Sequence, residues 1–182
     1  HNIAINAMLD KTFIPIGVSL KFDATYNRDS YLVSQSGVMV NNYSHHASGT
    51  LTTSFQKISW LRLSAAFTAK YYWERSSIMK LNVLSSYTTN AALYLFPTKK
   101  LELKMKFYNL TNEVMDGHYH TCSLLDGDFN YKINNVWELG VSGANLLNSK
   151  YYSITQNTGI NTFNTFLPLR GRELLLRIQL RL

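Results

Sequence analysis

The chain has 182 residues, 46% hydrophobic and 13% aromatic with 12 Tyr, and a formal net charge of +7. A mean hydropathy of −0.13 and the lack of any run near the roughly 20 apolar residues of a spanning helix exclude a helical membrane protein. They leave a membrane β-barrel open, because its alternation averages near neutral. The single cysteine, Cys122, excludes a disulfide framework, and the dispersed basic residues speak against a nucleic-acid partner.

Period-two alternation runs along most of the chain and predicts strands with one apolar and one polar face. The first strand covers 2–9 and ends in a tight connection, DKTF (10–13). In the second, 15–27, Ile16, Val18, Leu20, Phe22, Ala24 and Tyr26 alternate with Gly17, Ser19, Lys21, Asp23 and Thr25. A long polar loop, 28–45, follows, and within it 31–43 has some strand character. NNYSHHAS holds adjacent His45 and His46, which a strand would send to opposite faces and which read best as surface residues. The third strand, 46–56, reaches the fourth, 59–73, through QKIS. There Leu61, Leu63, Ala65, Phe67, Ala69, Tyr71 and Trp73 alternate with Arg62, Ser64, Thr68 and Lys70. Beyond loop 74–81, strands 82–96 and 100–109 flank the turn PTKK, with Lys104 and Lys106 on the polar phase. After loop 110–119 come strands 120–132 and 136–146 about INN, then loop 147–170, then a final strand over 171–182.

Tight and long connections thus take turns, which predicts an up-and-down antiparallel sheet with its short turns at one end. The expected fold class is all-β: an antiparallel transmembrane β-barrel segment of about nine strands, part of a larger barrel. A soluble sandwich or lipocalin-like barrel also alternates. Against it stand the strand lengths, several beyond ten residues, and the aromatics near strand ends (Tyr26, Phe55, Tyr71, Trp73, Tyr131, Trp137). The mid-strand charges also fit a watery lumen. A Lys or Arg at the lipid midplane costs about 2–4 kcal/mol, so a one-residue slip that exposed Arg177 or Lys104 is penalised.

Three stretches carry a family resemblance: LYLFPTKKLELKMKF, GVSGANLLNSKYY, and a last strand opened by LRGRELLL. In order and spacing they resemble the C-terminal part of TonB-dependent outer-membrane receptors of the Bacteroidetes type. Leu182 stands where that family usually ends in an aromatic residue. The resemblance implies a barrel of about 22 strands around an N-terminal plug, with residues 1–182 supplying the C-terminal portion of the barrel wall and no plug. It implies energy-coupled nutrient uptake, bacterial outer-membrane lipid around the wall, and assembly by the barrel machinery. It further implies a TonB complex reached through an upstream region and a possible surface lipoprotein partner. The last strand would run down to the periplasm, which puts PTKK and INN there and loops 110–119 and 147–170 outside. The opening at His1, without a basic-then-apolar leader, is expected of a piece of a longer chain. A small stand-alone barrel acting as pore, adhesin or enzyme is the alternative.

Candidate functional residues follow from this reading. Lys21, Arg62, Lys70, Lys104, Lys106, Arg177 and Arg181 are expected to face the lumen and give it a positive potential. Loop 147–170 is rich in Asn, Thr, Tyr and Phe, which suit glycans or peptides, and Tyr151, Tyr152, Asn157 and Phe163 are its candidate ligand contacts. His118, His120 and Cys122 share one strand face and are weak metal candidates, since a structural zinc needs four ligands. No Ser lies in a nucleophile motif, so no enzyme and no cofactor are expected.

Overall fold

The computed structural model describes residues 2–35, 37–76, 83–115, 117–158 and 161–180. Eleven strands follow in order: β1 (Ile3–Phe13), β2 (Val18–Gln35), β3 (Val38–Phe55), β4 (Leu61–Ser76), β5 (Leu84–Thr98) and β6 (Leu101–Met115). Then come β7 (His118–Lys132), β8 (Trp137–Ala144), β9 (Tyr151–Thr158), β10 (Asn161–Pro168) and β11 (Glu173–Leu180). No α-helix occurs among the described residues. Nine strands form one antiparallel up-and-down sheet in the order β1 to β8 and then β11, while β9 and β10 pair only with each other. The fold class is therefore all-β and meandering, as the alternation predicts. The sheet is open, with β1 and β11 as its edges.

The connections differ from expectation in several places. DKTF is the end of β1, and the turn is a single 3-10 turn, Ile14–Ile16, closed by Gly17. Gly17 sits at φ 67, and a Cβ there would come within 2.8 Å of the Lys57 backbone. Its carbonyl accepts the Gln56 N–H at 3.0 Å, so two neighbouring short turns are pinned together. Segments 28–45 and 110–119 are not loops. β2 and β3 continue as a ladder until Gln35 pairs with Val38, and β6 and β7 until Met115 pairs with His118. Eighteen residues of β2 reach about 60 Å, against the 9–11 residues a tilted spanning strand uses. Loop 147–170 holds the β9–β10 hairpin. Of the predicted loop 74–81, residues 74–76 are the end of β4 and 77–81 lie outside the described residues, as does residue 82.

A single layer leaves almost no core. The accessible surface is 12387 Å², against about 9,000 Å² for a globular monomer of this mass. Val40, Leu110 and Cys122 are the only buried apolar residues among those described. On β11 Leu174, Leu176 and Ile178 are 69%, 69% and 65% exposed. So large an exposed apolar face marks a surface that membrane or protein would cover.

Pairing register fixes the two faces. Directly opposed residues share a face, so Leu176 lies beside Val141, which lies beside Phe129 and then Leu103. The same apolar face carries Leu93, Leu63, Phe55 and Val18. The apolar band does not follow one hydrogen-bonded row. The row Leu20–Thr53–Ala65–Ala91–Phe107–Leu125 starts two residues above the foot of β2 at Val18. On β8 it would meet Asn145, eight residues above Trp137. The drift is six residues over six strand steps, or one per strand. One rise of ~3.3 Å per ~4.8 Å strand spacing is a tilt of about 35°, the inclination of strands in a closed barrel.

Candidate functional site

Asn145 builds the platform. It holds φ 48 and is buried, with its backbone N–H donating to Asp126 Oδ1 at 2.8 Å. Its side-chain Nδ2 donates to the carbonyls of Ser149 (2.9 Å) and Arg170 (2.8 Å), while its Oδ1 accepts the Ser149 N–H (2.9 Å). Asn148, at φ 56, accepts the Arg172 N–H through Oδ1 at 3.3 Å. Leu146 covers Gly143, where a Cβ would stand 2.7 Å from its Cδ2. The ANLLNS stretch is thus a clasp that closes both ends of the 151–168 segment.

From this clasp the β9–β10 hairpin folds over the polar face of β6 and β7. Asn112 Nδ2 donates to the Ser153 carbonyl at 2.6 Å, and Asn164 Nδ2 to the Val114 carbonyl at 2.8 Å. Ser153 Oγ lies 2.8 Å from His120 Nδ1, and the Phe166 ring meets His120 edge-on at 5.4 Å. Ser153 is 1% exposed, so this serine–histidine pair anchors the hairpin.

Between hairpin and sheet lies a cavity of about 520 Å³. His46, Lys70 and Tyr72 line one side, Ser86, Thr88, Tyr108 and Asn112 the floor, and Tyr152, Ile154 and Thr155 the hairpin side. The hydroxyls of Tyr108 and Tyr152 face each other at 3.5 Å. Thr155 Oγ1 is buried without a hydrogen-bond partner. Among the described residues no carboxylate pairs with Lys70. Hydroxyls, an amide, the Lys70 ammonium and the Glu113 carboxylate around a half-open space suit a hydroxylated small molecule.

Above it, a polar network ties β2, β3 and β4. Tyr31 and Tyr72 donate to Glu74 Oε1 at 3.1 and 3.0 Å, Asn42 Nδ2 donates to the Tyr31 hydroxyl at 2.9 Å, and Ser44 to Tyr72 at 2.9 Å. Burial and the adjacent Glu74 charge push the Tyr31 hydroxyl up to about 12.

The predicted site residues separate clearly. Tyr152 lines the cavity, whereas Tyr151 and Phe163 are 54% and 53% exposed and do not. Asn157 lies in β9 with its side chain outside the described residues. Lys21, Arg62, Lys70, Lys104, Lys106 and Arg177 share the polar face by register, and Arg181 lies outside the described residues. That face is mixed in charge. With Lys132 it holds seven cations, against nine carboxylates: Asp10, Asp23, Asp29, Glu74, Glu102, Asp126, Asp128, Glu138 and Glu173. Lys21 pairs with Asp23 and Lys104 with Glu102, each at 3.1 Å. The basic excess of the chain sits in turns and at ends, such as Lys57, Lys99, Lys100, Arg170 and Arg172. His118, His120 and Cys122 do share a face, but His120 is held by Ser153 and Cys122 is buried. Among the described residues no metal-ligating cluster forms.

Tyr108, Thr155 and Asn145 are absent from the predicted set. Tyr108 was readable, since it follows Lys104 and Lys106 on the polar phase. The roles of Thr155 and Asn145 depend on how the hairpin folds back, which no local pattern encodes. No family model, no curated protein and no solved structure matches this chain.

Proposed function

We propose that this sheet is part of the wall of an outer-membrane β-barrel, and that the barrel is a TonB-dependent transporter for energy-coupled nutrient uptake. The observation that carries the wall reading is the one-residue-per-strand drift of an exposed apolar band, with mid-strand charge on the opposite face. Strands inclined to a slab of hydrocarbon need that drift. In this reading the polar face lines the lumen and the short turns about Gly17 and Lys99–Lys100 are periplasmic. The β2–β3 and β6–β7 hairpins then rise outside, and the β9–β10 hairpin folds into the lumen mouth. The transporter assignment rests on the three stretches that resemble the receptor family.

The wall positions and binds; it breaks no bonds. Tyr108, Tyr152, Lys70 and Thr155 would contact a polar cargo at the outer mouth, and motion inward is driven through the TonB complex. A surface lipoprotein is the proposed lid partner. Fractionation of cells expressing the full-length gene tests the wall, since recovery from the soluble fraction would refute it. Deletion of that gene should abolish uptake of one nutrient, and deletion of TonB should do the same. Unchanged uptake of every candidate nutrient would sink the transporter reading and leave a passive pore or adhesin.

A further inference from the structure

Alternation sends nearly every strand charge to the polar face. Among the described strand residues, four charged side chains fall on the apolar face: Lys11, Arg28, Arg75 and Glu113. Glu113 is fully engaged, because its carboxylate accepts the Ser85 N–H (3.0 Å), the Ser85 hydroxyl (2.7 Å) and the Gly117 N–H (3.0 Å). Lys11 lies near the short-turn end. Arg28 and Arg75 stand together at the other end of the apolar band.

Their placement is specific. Arg28 pairs across with His45, which pairs with Trp73, and one step higher Tyr43 pairs with Arg75. The two arginines therefore bracket β3 from both sides. The Arg28 guanidinium lies 4.7 Å above the Tyr43 ring, and both arginines act electrostatically on His45. Just beneath them His45 stacks on Trp73 at 5.1 Å and accepts or donates a 2.8 Å hydrogen bond with the Tyr26 hydroxyl. Below that trio the face turns apolar, at Ala24, Ala47 and Ala69.

The two arginines stand as cations at the end of an otherwise apolar face. Among the described residues no carboxylate pairs with Arg28 or Arg75. Their sequence neighbours Asp29 and Glu74 point to the opposite face, where Glu74 is taken by Tyr31, Tyr72 and Asn42. A guanidinium binds phosphate through two parallel hydrogen bonds, and an aromatic belt fixes the height at which lipid headgroups lie.

We propose that Arg28 and Arg75, above the Tyr26–His45–Trp73 belt, bind the phosphate of a lipid headgroup. The inference rests on the barrel-wall reading. The full-length protein, in non-ionic detergent, is titrated with phosphatidylglycerol and separately with diacylglycerol, and retained lipid is counted by native mass spectrometry. Phosphatidylglycerol should be retained in preference to diacylglycerol. R28Q/R75Q should weaken its retention roughly 25-fold, about fivefold per arginine. K11Q should leave retention unchanged, and R28K/R75K, which keeps the charge but loses the two parallel hydrogen bonds, should lose retention by an amount between wild type and the Gln pair. Equal loss in K11Q, or wild-type retention by the Gln pair, would overturn the proposal. So would displacement of the lipid by millimolar inorganic phosphate, which would mark a free-anion site. Unboiled gel mobility reports whether each variant is folded. A protein that takes up neither detergent nor lipid would instead remove the barrel reading itself.

Discussion

Asn145 and Arg170, 25 positions apart, are joined by a 2.8 Å hydrogen bond from the amide of one to the carbonyl of the other. The same amide group also holds Ser149, so one side chain fixes both feet of the β9–β10 hairpin. N145A would remove three hydrogen bonds at about 1 kcal/mol each and place a Cβ-bearing residue without local compensation at φ 48. The hairpin should loosen by about 3–4 kcal/mol. Trypsin should then cleave after Lys150 and Arg170 well before the nine-stranded sheet is cut. Unchanged cleavage kinetics would show that the clasp is held by something else.

Leu175 and Leu176 are 65% and 69% exposed, alike in every respect but face. If hydrocarbon covers the apolar face, L176K places an ammonium in lipid and should destabilise the inserted protein by about 2–4 kcal/mol. L175K faces the polar side and should cost under about 1 kcal/mol. Urea titration of the protein folded in lipid vesicles separates the two. Equal effects would mean that both faces see water.

The Tyr31 hydroxyl, raised by burial and then by the Glu74 charge to about 12, makes the upper hairpin alkali-sensitive. A folded pKa above the unfolded one gives stability that is fully present below about pH 10 and is lost as pH rises toward about 12. Stability should therefore fall more steeply over that window in wild type than in Y31F. Y31F itself should cost about 1 kcal/mol at neutral pH through the lost bond to Glu74. Urea midpoints measured across the window provide the check.

In the cavity, Tyr108 and Tyr152 meet hydroxyl to hydroxyl. If cargo binds there, Y108F/Y152F should raise the half-saturating concentration for uptake roughly tenfold, at about 0.5–1 kcal/mol per lost neutral hydrogen bond. Y151F, on an exposed side chain outside the cavity, should leave uptake unchanged. Equal effects of both variants would place the cargo elsewhere.

Strand number, order and facing were legible because one face of each strand is apolar and the other polar. Alternation is the imprint of that difference. Where both faces become polar the imprint fades, and DSYLVSQS and NNYSHHAS read as loop although Tyr31 pairs with Asn42 and Asp29 with Ser44. Those ladders are held by polar contacts such as Asn42 to the Tyr31 hydroxyl at 2.9 Å, which leave no periodic trace. Of the ligand candidates, Tyr152 reaches the cavity and Tyr151 does not, because adjacent strand residues point opposite ways. Which of the two faces inward is set by how Asn145 turns the chain, a choice made outside the strand itself. The polar face is mixed in charge among the described residues because carboxylates such as Asp126 and Asp128 share the phase of Lys104 and Lys106.

The sheet has nine strands, and each neighbouring pair is antiparallel. Its two edges, β1 and β11, therefore run in the same direction. A ring in which every neighbour is antiparallel requires an even count, so joining these edges directly would create one parallel seam. Avoiding that seam takes an odd number of further strands between Leu180 and Ile3, supplied by whatever polypeptide completes the circle. Parity alone thus sets a condition on the rest of the barrel.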